Sequence, residues 1–253
     1  GLVGSEMCIR DSPYVGCPHK CLYCYASYMT SFSKHTEQWG DFVDVKHTNK
    51  KINIFKIKDK KVMISTVTDP YNFLEEKHRI TRMILEQLVK SEAYISVVTK
   101  SKLVLRDIDI LQKMKHVEVA LSVSTLDEEL AKKLEPCSST IQERLGTLKE
   151  LKASGIKTVL FISPVLPYLT DYKAVIEATK DYVDEYWFDK LSLRSSFKTK
   201  MFGFIDREYP EYKPFYNNIY AKKDNTFWNN LSSEIDEYCR LHNINNKIFF
   251  AGT

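Results

Sequence analysis

From position 61 onward, short runs rich in apolar and β-branched residues alternate with segments of helical period, and few folds accept that alternation. Residues 61–67 (KVMISTV) and 93–99 (AYISVVT) read as strands buried on both faces. Strands of that kind suit a parallel sheet covered by helices. Further strands are expected at 117–124, 157–163 and 187–193, and residues 247–250 can begin another. Between them the spacing predicts a helix over 75–90, with Ile80, Met83, Ile84 and Leu88 at i, i+3, i+4 and i+8. A second covers 103–114. A third is opened by the capping box of Thr140 and Glu143 and closed at Gly155; a fourth runs from the cap Asp171 to about 183, and a fifth covers 226–241. The chain therefore reads as an α/β protein with one curved sheet or partial barrel, whose ligands sit at the carboxyl ends of its strands.

Residues 1–12 (GLVGSEMCIRDS) stand apart, with neither strand alternation nor helical periodicity. They resemble translated sequencing-adapter read-through and are set aside as a non-native segment, leaving one domain over 13–253. On that reading Cys8 is no ligand and the natural start of the protein is missing.

Composition removes whole classes. Hydrophobic residues make up 43% and charged residues 28%, an ordinary balance for a chain with a sizeable core. No apolar run approaches the roughly 18 residues of a membrane helix, so no membrane partner is expected. A net charge of +4 allows an anionic ligand without pointing to nucleic acid. Three of the six cysteines crowd into positions 17–24 rather than spreading as a disulfide framework would, and nothing at the start reads as a secretory signal. A reducing cytoplasm and a metal role follow.

Cys17, Cys21 and Cys24 are spaced C-x3-C-x2-C. Three thiolates on one tight loop can bind three corners of a cubane, and a [4Fe–4S] cluster usually takes four cysteines. With no fourth cysteine nearby, one iron is left open for a small-molecule ligand. A structural zinc site with His19 as fourth ligand is the alternative, although zinc loops favour a distant second pair of ligands.

Residues 14–26, YVGCPHKCLYCYA, resemble the signature loop of the radical S-adenosylmethionine (SAM) superfamily. STVTDPY at 65–71, TKS at 99–101 with Arg106 and Asp107, LSVST at 121–125, Glu135-Pro136 with Glu143-Arg144, and ISP at 162–164 resemble its spore photoproduct lyase-like branch. Within that branch the chain is most similar to the group called radical SAM mobile pair protein B, which shares WGDF at 39–42 and DEYW at 184–187. The resemblance implies a partial (β/α)6-type barrel of mostly parallel strands, with the first strand missing or replaced.

It also implies a chemistry. A [4Fe–4S] cluster on Cys17, Cys21 and Cys24 would chelate SAM through its open iron and cleave it to methionine and a 5′-deoxyadenosyl radical, which abstracts a substrate hydrogen. Thr68 and Asp69 would hold the methionine end of the cofactor, and Lys100 would pair with its carboxylate. Ser122 would contact ribose or methionine, Ser163 the adenosine, and Tyr23 the adenine. Tyr23 and Tyr25 are the catalytic candidates, as tyrosines able to relay a radical. Glu135 and Arg144 read as a structural ion pair, Cys137 and Cys239 as ordinary cysteines. The implied partners are SAM, a flavodoxin or ferredoxin as reductant, and a companion radical SAM protein.

One departure matters. Spore photoproduct lyases use a cysteine beside the second-strand motif to return a hydrogen to product; Thr66 stands here instead, and no cysteine occurs between Cys24 and Cys137. Repair by that route is not expected. Residues 197–228 interleave lysines and arginine with aromatics, a pattern that can serve nucleic acid, but acidic residues dilute it. The competing readings are a non-catalytic Fe–S electron-transfer or nucleic-acid-binding protein and a zinc-stabilised module.

Overall fold

The computed structural model describes residues 12–46, 51–64, 67–193, 195–222 and 224–250. Near the start, β1 (Tyr14–Val15) pairs antiparallel with β2 (Asp44–Val45). The main sheet holds β3 (Lys61–Ile64), β4 (Tyr94–Thr99), β5 (Val117–Ser122), β6 (Lys157–Val165), β7 (Glu185–Lys190) and β8 (Asn246–Ile248). All six run parallel and lie in chain order, so each pairs with its neighbours in sequence. The result is a curled half-barrel, as the alternation predicts, and residues 246–248 supply the further strand.

The helices cover its outer face. α1 (Leu74–His78) and α2 (Ile80–Leu88) follow β3; a 3-10 turn (Lys102–Asp107) and α3 (Ile108–Leu111) follow β4. α4 (Glu128–Leu134) and α5 (Ile141–Ala153) follow β5, α6 (Tyr172–Thr179) follows β6, and α7 (Ser195–Glu208), α8 (Lys213–Tyr216) and α9 (Thr226–Leu241) follow β7. The main core lies between sheet and helices: Val97, Val119, Leu121 and Leu160 meet Leu85, Leu148, Leu151 and Ile176. The concave face carries a smaller apolar plug of Ala120, Val159, Phe161 and Trp187, joined by Val98 and Phe249. At the amino ends of the strands, Lys157 reaches Glu118 at 2.9 Å and Glu185 at 2.6 Å, and Lys247 reaches Glu185 at 2.6 Å. These ion pairs tie β5, β6, β7 and β8 together at their amino ends.

Several expected elements change shape. The helix over 75–90 breaks in two at Arg79, which adopts a left-handed conformation (φ 53°). The cause is Glu75: its buried carboxylate accepts the N–H groups of Thr81 at 2.9 Å and Arg82 at 3.2 Å, capping α2 from within the preceding helix. The helix over 103–114 starts instead as a 3-10 turn capped by the Ser101 hydroxyl. The Thr140 capping box forms as read, and Gly155 ends that segment with φ at +75°. Asp171 caps α6 through the Ala174 N–H at 3.0 Å.

Helices α4, α7 and α8 were not expected from the sequence. Asp127 caps α4 through the N–H groups of Glu129 and Leu130. In α7, Phe197, Met201, Phe204 and Ile205 recur at helical spacing and are all buried. The aromatics of 197–228 thus go mainly into the core, and nearby cations are occupied: Lys213 meets Asp206 at 2.8 Å and Arg207 meets Glu208 at 2.8 Å. Cys8, Ser65 and Thr66 lie outside the described residues, as does all of the first segment except Ser12, which is buried. Among the described residues no helix is long and apolar enough to cross a membrane.

Candidate functional site

At the carboxyl ends of β3, β4 and β5 the chain folds the loop of residues 16–24 across the open rim. Gly16 starts it with φ at +88°, and a Cβ there would collide with the Phe42 carbonyl. The Thr68 hydroxyl donates to the Gly16 carbonyl at 2.5 Å, fastening the loop to the end of β3. Farther along, Leu22 N–H donates to the Leu134 carbonyl at 2.8 Å.

Asp69 is the hub beneath that loop. One carboxylate oxygen accepts the Thr99 hydroxyl at 2.6 Å and the Tyr71 N–H at 2.8 Å; the other accepts the Lys100 N–H at 2.7 Å. The buried His19 ring stands 3.4 Å away through Nδ1. Burial pushes the His19 pKa down, helped by Lys100 and Arg144 and opposed by Asp69. Sequence reading placed Asp69 beside a ligand's ammonium group; here both of its oxygens hold the chain's own donors.

A second hub lies under Tyr23. Its hydroxyl donates to Glu135, whose other oxygen meets Arg144 at 2.5 Å. Arg144, itself 1% exposed, donates to the carbonyls of Ser122 at 2.9 Å and Ser139 at 2.8 Å. Burial raises the Glu135 pKa against the pull of Arg144. The Lys100 ammonium stands 3.8 Å from Glu135 and 5.9 Å from the centre of the Tyr23 ring. The ion pair expected of Glu135 and Arg144 is therefore present, and it props the site floor.

The cysteine thiols share this environment. Burial pushes Cys17 up to about 11, raises Cys21 well above the usual thiol range and raises Cys24. Lys100 favours the thiolates of Cys21 and Cys24, while the cysteines disfavour ionisation of one another. Lys100 in turn is pushed down by burial and held up by Cys21. Among the described residues no three His, Cys, Asp or Glu side chains are drawn together tightly enough to grip a metal ion. The donor chemistry nevertheless fits a thiolate-ligated cluster: three sulfurs on one loop, Cys17 buried and Cys21 and Cys24 half-buried, beside the cations of Lys100 and Arg144 that would balance their charge.

The other expected residues are spread along the same rim. Ser122 ends β5 and is buried; Ser163 lies on β6 and is partly open. Tyr25 is different. It begins a 3-10 helix (Tyr25–Phe32) and is 52% exposed, whereas Tyr23 is buried. Cys137 is exposed and Cys239 lies in the core, where burial pushes it up to about 11. Sequence reading missed Asp189, which continues the inward-facing alternation of Glu185 and Trp187 toward the open end of β7. Burial pushes its carboxyl up to about 6.

The superfamily profile described as "Radical SAM superfamily" matches residues 12–178. The chain belongs to the radical SAM superfamily. An uncharacterized protein of Methanocaldococcus jannaschii is 36% identical to this radical SAM chain over 210 residues, covering 83% of it and 80% of the relative. An uncharacterized protein of Mycobacterium bovis is 29% identical over 175 residues, covering 62% of the chain and 49% of the relative. Among solved structures, a spore photoproduct lyase double mutant with bound SAM and dinucleoside spore photoproduct superposes with a TM-score of 0.60 at 14% identity, over 79% of the chain and 60% of that protein. SuiB of Streptococcus suis bound to SAM gives 0.60 at 16% identity, over 95% of the chain and 49% of its counterpart. The shared fold is the half-barrel whose rim has been described. The protein is a radical SAM enzyme.

Proposed function

We propose that Cys17, Cys21 and Cys24 hold a [4Fe–4S] cluster and that the rim around Lys100 binds SAM against it. When bound, the cluster supplies the electron that splits SAM into methionine and a 5′-deoxyadenosyl radical able to take hydrogen from a substrate. The observation that carries this reading is the placing of three cysteines on one loop, one buried and two half-buried, beside Lys100 at the carboxyl ends of a parallel sheet.

The chain's own residues divide the remaining work. Lys100 presents an ammonium group to the cofactor carboxylate, and Thr68, Ser122 and Ser163 offer hydroxyls along the rim. Tyr23 presents its ring from within the pocket, fixed by Glu135. Asp69 positions Lys100 and His19 and leaves direct contact to its neighbours. Tyr25 lies toward solvent, where it suits a radical relay to an external partner better than a cofactor contact. A flavodoxin or ferredoxin supplies the electron, in a reducing cytoplasm that keeps the thiols free.

Anaerobic reconstitution with iron and sulfide, followed by EPR of the reduced protein with and without SAM, tests the proposal. A [4Fe–4S]⁺ signal that changes shape with SAM, and release of 5′-deoxyadenosine, are the expected results. A cluster indifferent to SAM indicates electron transfer instead. Zinc and no iron in anaerobically purified protein would sink the cluster reading.

A further inference from the structure

The 3-10 helix Tyr25–Phe32 turns its apolar side chains outward. Ala26 is its one buried residue, while Tyr25 is 52%, Tyr28 49% and Phe32 77% exposed. Three of the ten large apolar side chains left exposed among the described residues therefore sit on one eight-residue turn. Tyr28 meets the Phe32 ring edge-on at 6.2 Å, and the Ser33 hydroxyl fixes the end of the turn by donating to the Thr30 carbonyl at 2.8 Å. A contiguous apolar patch held in water marks a surface for a partner.

Its surroundings limit what that partner is. Cys24 caps the helix, and its carbonyl accepts the Ser27 N–H at 3.3 Å, so the patch starts one residue beyond a proposed cluster ligand. Charge limits it further. Glu37 and Asp44 are engaged by His35 at 3.3 and 3.0 Å, and Asp41 by Lys20 at 2.6 Å. Lys34, just past the helix, and Lys200, which reaches Gln38 at 3.4 Å, are exposed and meet no carboxylate among the described residues. The face is thus apolar with a surplus of positive charge, which an acidic partner complements. A patch this small suits the brief encounters of electron-transfer proteins, whose interfaces are among the smallest.

We infer that the Tyr25–Phe32 face, flanked by Lys34 and Lys200, docks the acidic electron carrier that reduces the cluster. One electron passes at each encounter: the carrier is oxidised by one electron and the cluster reduced by one. The inference rests on Cys17, Cys21 and Cys24 as cluster ligands, and it states where the reductant arrives.

Phe32→Ser and Lys34→Glu alter exposed side chains away from the cofactor rim. For the reconstituted proteins, iron content is measured, cluster reduction by flavodoxin hydroquinone and by dithionite is followed in anaerobic stopped flow, and flavodoxin binding is measured by calorimetry. The expected result in both variants is full iron loading and unchanged reduction by dithionite, with flavodoxin binding and reduction each weakened about tenfold. Lys34→Glu should also lessen the salt dependence of the flavodoxin rate. Flavodoxin rates and affinities equal to wild type overturn the proposal. So does a loss shared equally by dithionite, which would put the effect in the cluster, or wild-type protein that dithionite reduces and flavodoxin does not. A wild-type dimer that Phe32→Ser splits gives the patch to a second copy of the chain and overturns it as well. Wild-type protein that takes up no iron overturns the ligand assignment itself, and this inference with it.

Discussion

Asp69 accepts the main-chain N–H of Lys100 at 2.7 Å, joining the ends of two adjacent strands through one carboxylate. The same group also receives the Thr99 hydroxyl and the Tyr71 N–H. Asp69→Asn turns an accepting atom into a donor facing other donors. The expected cost is about 2–3 kcal/mol of stability, read from urea unfolding of the cluster-free protein. Unchanged stability with weakened SAM binding would instead mean that Asp69 serves the cofactor directly.

Arg144 and Glu135 form a fully buried pair, and removing one partner strands the other's charge. Arg144→Met should destabilise by about 3–5 kcal/mol. Adding Glu135→Gln to it should recover part of that loss, because the stranded carboxylate is then neutral, while Lys100 loses one anionic neighbour and the Ser122 and Ser139 carbonyls still lack their donor. A double variant no better than Arg144→Met in chemical denaturation contradicts this account.

Acid stability should depend on Asp107. Burial alone would raise its pKa, but Arg106 and Arg82, each 2.8 Å away, outweigh burial and hold it below the ordinary carboxylate range. The folded state therefore binds this proton less tightly than the unfolded one. Its contribution is complete above about pH 4 and disappears as pH falls through the lowered value. Asp107→Asn should be less stable than wild type at pH 7 and show a flatter loss below about pH 4. Parallel stability-versus-pH curves for the two proteins would refute it.

Asp189 carries the opposite sign. Its carboxyl is pushed up to about 6 by burial, so folding favours its protonated form. The wild-type stability should fall as pH rises from about 4 to about 6, and Asp189→Asn should remove that fall. The variant is expected to gain about 1–2 kcal/mol at pH 7.5 and nothing below about pH 4, the side chain's partial exposure reducing the full effect. Equal gains at both pH values would show that ionisation is not the cause.

Features governed by near neighbours were legible in the sequence. The Thr140 capping box, the Asp171 cap, the 226–241 helix and the cysteine spacing all depend on residues within a turn or two. The helix break at Arg79 was not, because Glu75 acts as an inner cap while Arg106, 31 positions away, grips it. Asp69 shows the same limit at the site. As part of T-D-P-Y it reads as a turn or a ligand contact, and its role is set by Thr99 and Lys100 on another strand. In residues 197–228 the mixed charge drew attention away from the helical spacing of Phe197, Met201, Phe204 and Ile205, which pack the core.

The strict chain order of the main sheet bears on how this fold is made. Every strand pairs with the one synthesised just before it, so no later strand has to be inserted between two already joined. The sheet can lengthen at a single growing edge as the polypeptide leaves the ribosome, starting at the β3–β4 pair. Thr68, Asp69 and Lys100 are anchored at that first pair, so the rim can be under construction while its far wall is still unmade.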